Sequence, residues 1–365
     1  MMKDNREGRY LMQLGLIGLP LVGKTALFEL LTENRNQGTG QGRANLATVR
    51  IPDWRIDFLS ELYQPQKTAY AQLEVIDIPG LVPGSEKGSS SFLNAVREAD
   101  ALIHVVRAFE VEEFPHVEGS IDALRDIELI NYELLLADLD LVERRIERIK
   151  TGKKPKQHQE ELDLLERLAG VLGDEMPIAS LELNDEEDIM LRSFQFLTMK
   201  PMMLVVNVEE EHVRDGRFSG REEVLEFAEE RDIPVLTISA RLEGEIAELE
   251  GEEKQLFMQE LGIEEPGIIR LARAAYRLLG LISFFTVGDD EVKAWTISEG
   301  LPARQAAGKI HSDIERGFIR AEVVNFNDLY TYGSMARVRE EGLFRLEGKD
   351  YPVQDGEIVH FRFNV

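Results

Sequence analysis

The chain has 365 residues, enough for about two or three domains with a sizeable core. It contains no cysteine, which excludes a disulfide framework, a thiolate metal site and a cysteine nucleophile. A formal net charge of −26 sets the chain as a whole against bare nucleic acid and anionic membrane, so any nucleic-acid contact needs a local basic patch. No apolar run approaches the roughly 20 residues that span a bilayer, and the charged start lacks a hydrophobic signal core, so a cytoplasmic protein without membrane contact is expected.

Residues 1–11 read as a flexible extension or an alternative start, because Met12 leads directly into the first strand signal. That signal is the apolar run QLGLI at 13–17. Residues 18–25 read Gly18-Leu-Pro-Leu-Val-Gly23-Lys24-Thr25 and satisfy G-x-x-x-x-G-K-[ST] at every position. Its glycines let the backbone turn tightly, so that successive N–H groups face a phosphate at the start of the helix expected over 25–32. Lys24 reaches the β- and γ-phosphates, and the Thr25 hydroxyl binds Mg²⁺. The nucleotide-binding set on this loop is Pro20, Leu21, Val22, Gly23, Lys24, Thr25 and Ala26, with a catalytic part for Lys24 as well.

Residues 33–50 are rich in Gly, Asn, Gln and Arg without periodicity and read as a loop. Strand signals recur at 72–76, 101–106, 202–206 and 235–238 with helical stretches between them, which predicts an α/β fold with a mostly parallel sheet. The first of these strands ends in Asp77-Ile-Pro-Gly80, a D-x-x-G turn in which Asp77 holds Mg²⁺ through water and the Gly80 N–H senses the γ-phosphate. Residues 120–200 are charged and helical, with leucines at helical spacing on both sides of the polar stretch TGKKPKQHQ. They predict an inserted antiparallel helical arm. Near its tip Arg144, Arg145, Arg148, Lys150, Lys153, Lys154 and Lys156 form either a solvated helix end favoured by the helix dipole or a contact patch.

Asn207 closes the next strand at the sheet edge where ligands of open α/β sheets bind. There it can hydrogen-bond a base edge and tie the phosphate loop down. Ser239 and Ala240, after the last of these strands, turn their backbone toward the base. Helix returns over 241–280, and short strand-like runs from Ile282 onward indicate a small β-rich C-terminal domain. The expected division is therefore a 1–11 extension, a nucleotide-binding domain over 12–119 and 201–280, an arm over 120–200 and a C-terminal domain over 281–365.

Four nucleotide-site elements in this order look like the TRAFAC GTPases, and the chain resembles the YchF / Obg-like ATPase family along nearly its whole length. The likeness is carried most closely by Glu260-Leu-Gly-Ile-Glu-Glu-Pro-Gly267, Val292-Lys-Ala-Trp-Thr-Ile297, Gln305-Ala-Ala-Gly-Lys-Ile-His311 and Gly317-Phe-Ile-Arg-Ala321. Glu347-Gly-Lys-Asp-Tyr351 and Phe363-Asn-Val365 extend it. The resemblance implies a GTPase-like domain, a coiled-coil arm within it, and a C-terminal TGS domain of β-grasp type. It also implies ATP or GTP hydrolysis with Mg²⁺, and ribosome association in translation or stress response. The arm tip and the TGS domain are the expected contact surfaces, and a monomer is expected.

Guanine-specific relatives carry N-K-x-D, whereas this chain has Asn207-Val208-Glu209-Glu210, like the family's N-x-x-E. An apolar residue at Val208 and a longer carboxylate at Glu210 weaken the bidentate guanine contact, so ATP is expected to be preferred over GTP. Leu81 stands where Ras-like enzymes carry the glutamine that orients water. The resemblance assigns that catalytic task to His116, which otherwise reads as a solvent-exposed loop histidine.

Two departures from the family pattern stand out. Leu21 replaces the P-loop asparagine, which argues against K⁺-stimulated hydrolysis, and the switch-I threonine that ligates Mg²⁺ falls on Gln41, with Thr39 and Thr48 the nearest threonines. The functional expectation is a slow NTPase acting as a nucleotide switch on the ribosome. The alternative is a nucleotide-binding scaffold with little or no hydrolysis, recruiting partners through the arm and the TGS domain.

Overall fold

Buried at every position, the apolar run QLGLI becomes β1 (Gln13–Ile17) and leads through the glycine loop into α1 (Lys24–Thr32). The computed structural model describes residues 12–33, 45–82, 86–111, 113–152 and 155–364. The expectations for residues 1–11, Thr39, Gln41, Lys153 and Lys154 therefore lie outside the described residues. Next come β2 (Asn45–Arg50), α2 (Trp54–Tyr63), β3 (Lys67–Ala69), β4 (Gln72–Asp77), α3 (Glu86–Glu98) and β5 (Ala101–Ala108). The arm holds α4 (Ala123–Lys150), α5 (Gln159–Gly173) and α6 (Asp185–Leu191). The chain returns through β6 (Met202–Val208), α7 (Arg221–Glu229), β7 (Val235–Ile238), α8 (Ala240–Glu248), α9 (Gly251–Glu260) and α10 (Gly267–Leu278). The C-terminal part runs β8 (Leu281–Thr286), β9 (Glu291–Ser298), α11 (Ala303–Ile310), α12 (Ser312–Arg316), β10 (Phe318–Asn325), α13 (Phe326–Tyr332), α14 (Met335–Glu340), β11 (Arg345–Glu347) and β12 (Glu357–Phe363).

These elements fall into two compact units. One comprises Met1–Ala47 with Glu74–Leu271; the other comprises Thr48–Leu73 with Ala272–Val365. In the first, the sheet order is β2-β4-β1-β5-β6-β7, and β1 pairs in parallel with β4 and β5, as does β6 with β5 and β7. Strands with helices on both faces read as continuous apolar runs, and β5 is buried at every position but its last. Thus the alternation legible in the sequence does build a mostly parallel α/β sheet.

The arm is held by its own core. Val142 and Ile149 of α4 meet Leu165, Leu168 and Leu172 of α5, with Ile178, Leu191 and Phe196 closing the cluster. Asp138 is fully buried and accepts from Leu197 N–H at 3.0 Å, Thr198 N–H at 2.8 Å and the Thr198 hydroxyl at 2.9 Å. That carboxylate fastens α4 to the segment returning toward β6. Of the basic residues near the tip, Arg144 pairs with Asp140, Arg145 with Glu161 at 2.7 Å and Lys150 with Glu166 at 2.7 Å. Part of the patch is thus neutralised inside the arm. Among the described residues no helix is long and apolar enough to cross a membrane.

The second unit has a sheet of order β11-β10-β12-β8-β9-β3, mixed in direction: β12 and β8 run parallel, as do β3 and β9, while the other pairs are antiparallel. Ala303, Ala306 and Ala307 of α11 bring that helix close onto Phe284, Val323, Val359 and Phe361. Here the structure differs from the expected division. That division puts residues 48–73 in the nucleotide-binding domain, yet α2 and β3 pack in the C-terminal unit. Trp54 and Phe58 stack edge-on against Phe326 and Tyr330. Arg55 bridges Asp53 and Asp355, each at 2.7 Å. The aromatic and ionic partners of this short segment decide where it goes, and Phe326 and Asp355 lie about 270 to 300 residues away in sequence. The expected loop over 33–50 is also shorter, because its last six residues form β2.

Removing the Asp138 carboxylate leaves two buried backbone donors unpaired. Asp138→Ala is expected to cost about 2–4 kcal/mol of stability. Asp138→Asn, which keeps one acceptor, is expected to cost less. Urea melts of the full chain check this, and midpoints unchanged from the parent in both variants reject the role given to Asp138.

Candidate functional site

The order β4-β1-β5-β6 places the loops that follow these strands side by side at the carboxyl edge of the sheet, where open α/β folds bind ligands. The loop after β1 has two glycines that admit no substitute. Gly18 has φ +144° and a Cβ there runs into the Val105 carbonyl; Gly23 has φ +100° and a Cβ there runs into Asn207 Nδ2. Leu21 also lies at positive φ, +63°, a left-handed conformation costing a side chain about 1–2 kcal/mol. It points outward, 52% exposed, at the rim of the site.

Lys24 is buried and donates from Nζ to the Gly18 and Leu19 carbonyls at 3.2 and 2.7 Å, which folds it back over its own loop. Burial pulls its pKa down from 10.5 to about 8, although the Asp77 charge pushes the other way. The Thr25 hydroxyl donates to Asp77 Oδ2 at 3.0 Å. Burial raises the Asp77 pKa, opposed by the Thr25 hydrogen bond and by Lys24. Two hard oxygen donors thus meet beside a lysine, a set that fits Mg²⁺ completed by water and phosphate oxygens. Leu81 N–H donates to the Gly18 carbonyl at 3.2 Å, so the D-x-x-G turn is laced to the loop; its Leu81 side chain is buried and brings no polar group.

Asn207, at the end of β6, joins the parts. Its Nδ2 donates to the Val22 carbonyl at 3.0 Å, and its Oδ1 accepts from Ala240 N–H at 3.0 Å. Ser239 caps α8 by accepting from Leu242 N–H. Glu210 forms an ion pair with Arg241 at 2.7 Å, and Glu209 accepts from Glu110 N–H at 2.7 Å. The expected residues Gly23, Lys24, Thr25, Asp77, Asn207 and Ala240 are therefore brought together, while Thr48 is built into β2.

A pocket of about 320 Å³ opens beside Lys24 and Thr25. Its far wall is one that sequence reasoning missed: Arg107, Phe109, Val111 and Phe114, at and after the end of β5. The missed signal was an arginine and an aromatic in V-V-R-A-F, at the carboxyl end of a strand beside the phosphate loop. Also on β5, His104 is wholly buried with Nδ1 unpartnered. Burial and then the Lys24 charge take its pKa down to about 3, so it stays neutral.

His116, expected to be catalytic, is committed elsewhere in this structure. Its ring is buried, its Nδ1 accepts from Glu118 N–H at 3.1 Å, and its Nε2 lies 2.8 Å from Asp126 Oδ2, off the line of a good hydrogen bond. Asp126 is also gripped by Arg125, while burial raises its pKa. His116 is thus a latch between the turn at 113–119 and the first turn of α4, not a residue of the pocket wall.

A glycine loop between a buried strand and a helix, its lysine folded inward and its threonine on a strand-end aspartate, defines a P-loop nucleotide-binding protein. Comparison with known proteins narrows the class. A family model described as "50S ribosome-binding GTPase" matches residues 13–137, and the model of the YchF GTPase C-terminal domain, described as a protein of unknown function, matches 281–364. "Ribosome-binding ATPase YchF" of Bacillus subtilis is 45% identical over 96% of this chain and 99% of its own length. The protein of that name from Escherichia coli O157:H7 is 44% identical over the same shares. The solved Schizosaccharomyces pombe YchF GTPase superposes with a TM-score of 0.85 at 30% identity, covering 99% of this chain and all of that one. The chain belongs to the YchF family.

Nucleotide affinity is expected to depend on pH through Lys24. Below about 8 the lysine is already charged and meets phosphate at no extra cost; above it, binding has to recapture a proton, because phosphate favours the charged form. Affinity is therefore flat up to pH 8 and then falls by up to about tenfold per pH unit, approaching pH 10. Titrations between pH 6.5 and 10 check this, and a flat profile across that range contradicts the assignment.

Proposed function

We propose that this chain is a Mg²⁺-dependent NTPase that prefers ATP, accepts GTP, and hydrolyses slowly as a ribosome-associated switch. The observation carrying the reading is the Lys24–Thr25–Asp77 constellation on a loop clamped by Asn207. Thr25 and Asp77 hold Mg²⁺, which supplies charge neutralisation at the phosphates when bound. Gly80 offers its N–H to the γ-phosphate, and Pro20 through Ala26 cradle the remainder.

Base choice follows from the end of β6. Val208 brings no charge, and the Glu210 carboxylate already engages Arg241. A guanine base then has to compete for that carboxylate, whereas adenine does not require it. The relatives named above are called ribosome-binding ATPases, which supports ATP as the substrate and the ribosome as the partner. Contact through the basic arm tip and the C-terminal TGS-like domain, a cytoplasmic location and a monomeric state complete the reading. The second reading, a nucleotide-binding scaffold, draws support from the buried Leu81 and the committed His116.

Two measurements decide. In equilibrium titration with Mg²⁺, ATP is expected to bind more tightly than GTP; a tenfold advantage for GTP, about 1.4 kcal/mol, reverses the base assignment. In multiple turnover, the parent is expected to release phosphate faster than Lys24→Ala. Equal rates leave the scaffold. His116→Ala reports on hydrolysis by the latched ring: unchanged turnover removes His116 from catalysis.

A further inference from the structure

Arg107 stands at the end of β5, opposite Asn207 in the register with β6. Its side chain is 2% exposed. A buried cation is costly unless paired, and arginine cannot escape the cost by shedding its proton. Yet no carboxylate among the described residues makes a hydrogen bond to it. Asp126, Glu110 and Glu209 act on it only through space. Among the described residues its side chain makes one hydrogen bond, from Nε–H to the Phe109 carbonyl at 3.0 Å, and the guanidinium carbon lies 4.7 Å from the centre of the Phe109 ring. These contacts fix the plane of the guanidinium and leave its Nη nitrogens without a hydrogen-bond partner among the described residues. The same side chain lines the pocket that Lys24 and Thr25 line.

Among the described residues the pocket lining thus holds two buried cations and no carboxylate: Asp77, beside Lys24, already takes the Thr25 hydroxyl, and Asp126, Glu110 and Glu209 reach Arg107 only through space. Such a site is short of negative charge, and its open donors are of the type that matches phosphate oxygens in a planar, two-pronged way.

We propose that Arg107 is a second phosphate-binding cation of this site, its Nη donors taking phosphate oxygens of the bound nucleotide while the Phe109 carbonyl and ring hold the guanidinium in place. This rests on the nucleotide-binding reading above. The competing assignment is a prop: Arg107 only stiffens Phe109 as part of an apolar wall. The two differ in what they do to the phosphates. A phosphate contact is felt by ATP and ADP and not by adenosine; a prop is felt by all three alike.

The test uses the full chain with Mg²⁺, comparing the parent with Arg107→Gln and Arg107→Lys. Affinities for ATP, ADP and adenosine are measured over a salt series, with thermal midpoints taken without nucleotide. Arg107→Gln is expected to weaken ATP and ADP by about tenfold or more, to leave adenosine unchanged and to flatten the salt dependence. Arg107→Lys is expected to recover part of the loss. ATP affinity within about twofold of the parent, or an equal loss for adenosine, overturns the proposal. Should Arg107→Gln fail to fold, Arg107→Lys decides, with a loss of about threefold or more for ATP and none for adenosine expected, and no loss overturning it. Failure of the parent itself to bind ATP or ADP overturns the nucleotide reading instead, which keeps the two outcomes separate.

Discussion

The amide of Asn207 donates to the Val22 carbonyl and accepts from Ala240 N–H, each at 3.0 Å, so one side chain ties the phosphate loop, β6 and the start of α8 together. β1 and β6 are not neighbours; β5 lies between them. A side chain reaching across the carboxyl edge joins their loops. Its partners also fix its orientation, because a carbonyl demands the NH₂ and an N–H demands the oxygen. The bond leaves so little room that Gly23 tolerates no Cβ beside it. Loop shape, base-side turn and sheet order are therefore one constraint seen from three sides, and a loop held this way presents its N–H groups without reorganisation when phosphate arrives.

Electrostatics builds on that frame. The chain carries 68 acidic against 42 basic residues, yet the wall of its pocket carries the buried cations Lys24 and Arg107. Two buried cations in one pocket of a strongly acidic molecule favour a compact polyanion over an extended one. Long-range repulsion faces any large anionic surface, whereas a small phosphate chain reaching the pocket meets local charge that water screens little. Lys24 is folded onto two carbonyls of its own loop, so its position is set before a ligand binds.

The legible parts of this fold were those whose signal is local. The glycine loop, the strand-end Asp77 and the buried strands follow from spacing and apolar runs, and they stand in the structure as read. The arm leucines likewise form their own core. What was not legible depends on distant partners. What assigns residues 54–69 to the C-terminal unit is contact with Phe326, Tyr330 and Asp355 and the pairing of β3 on β9, none of them near in sequence. Arg107 and Phe109 were passed over because a strand residue's role is set by which strands flank it. His116 reads as exposed in sequence because its partner Asp126 sits on the next helix, ten residues on.

Binding and turnover draw on different residues here. The residues proposed to hold phosphate stand together, but Leu81 is apolar and buried, and the pocket wall after β5 is lined by Phe109, Val111 and Phe114. For His116 to orient water it has to leave Asp126 and the Glu118 N–H. The Asp126 carboxylate then stays buried, paired with Arg125 and without the ring beside it. Breaking one partner away from a buried charge is costly, because the charge cannot regain its water. The cost of unlatching therefore adds to the barrier for hydrolysis by that route and is absent from binding.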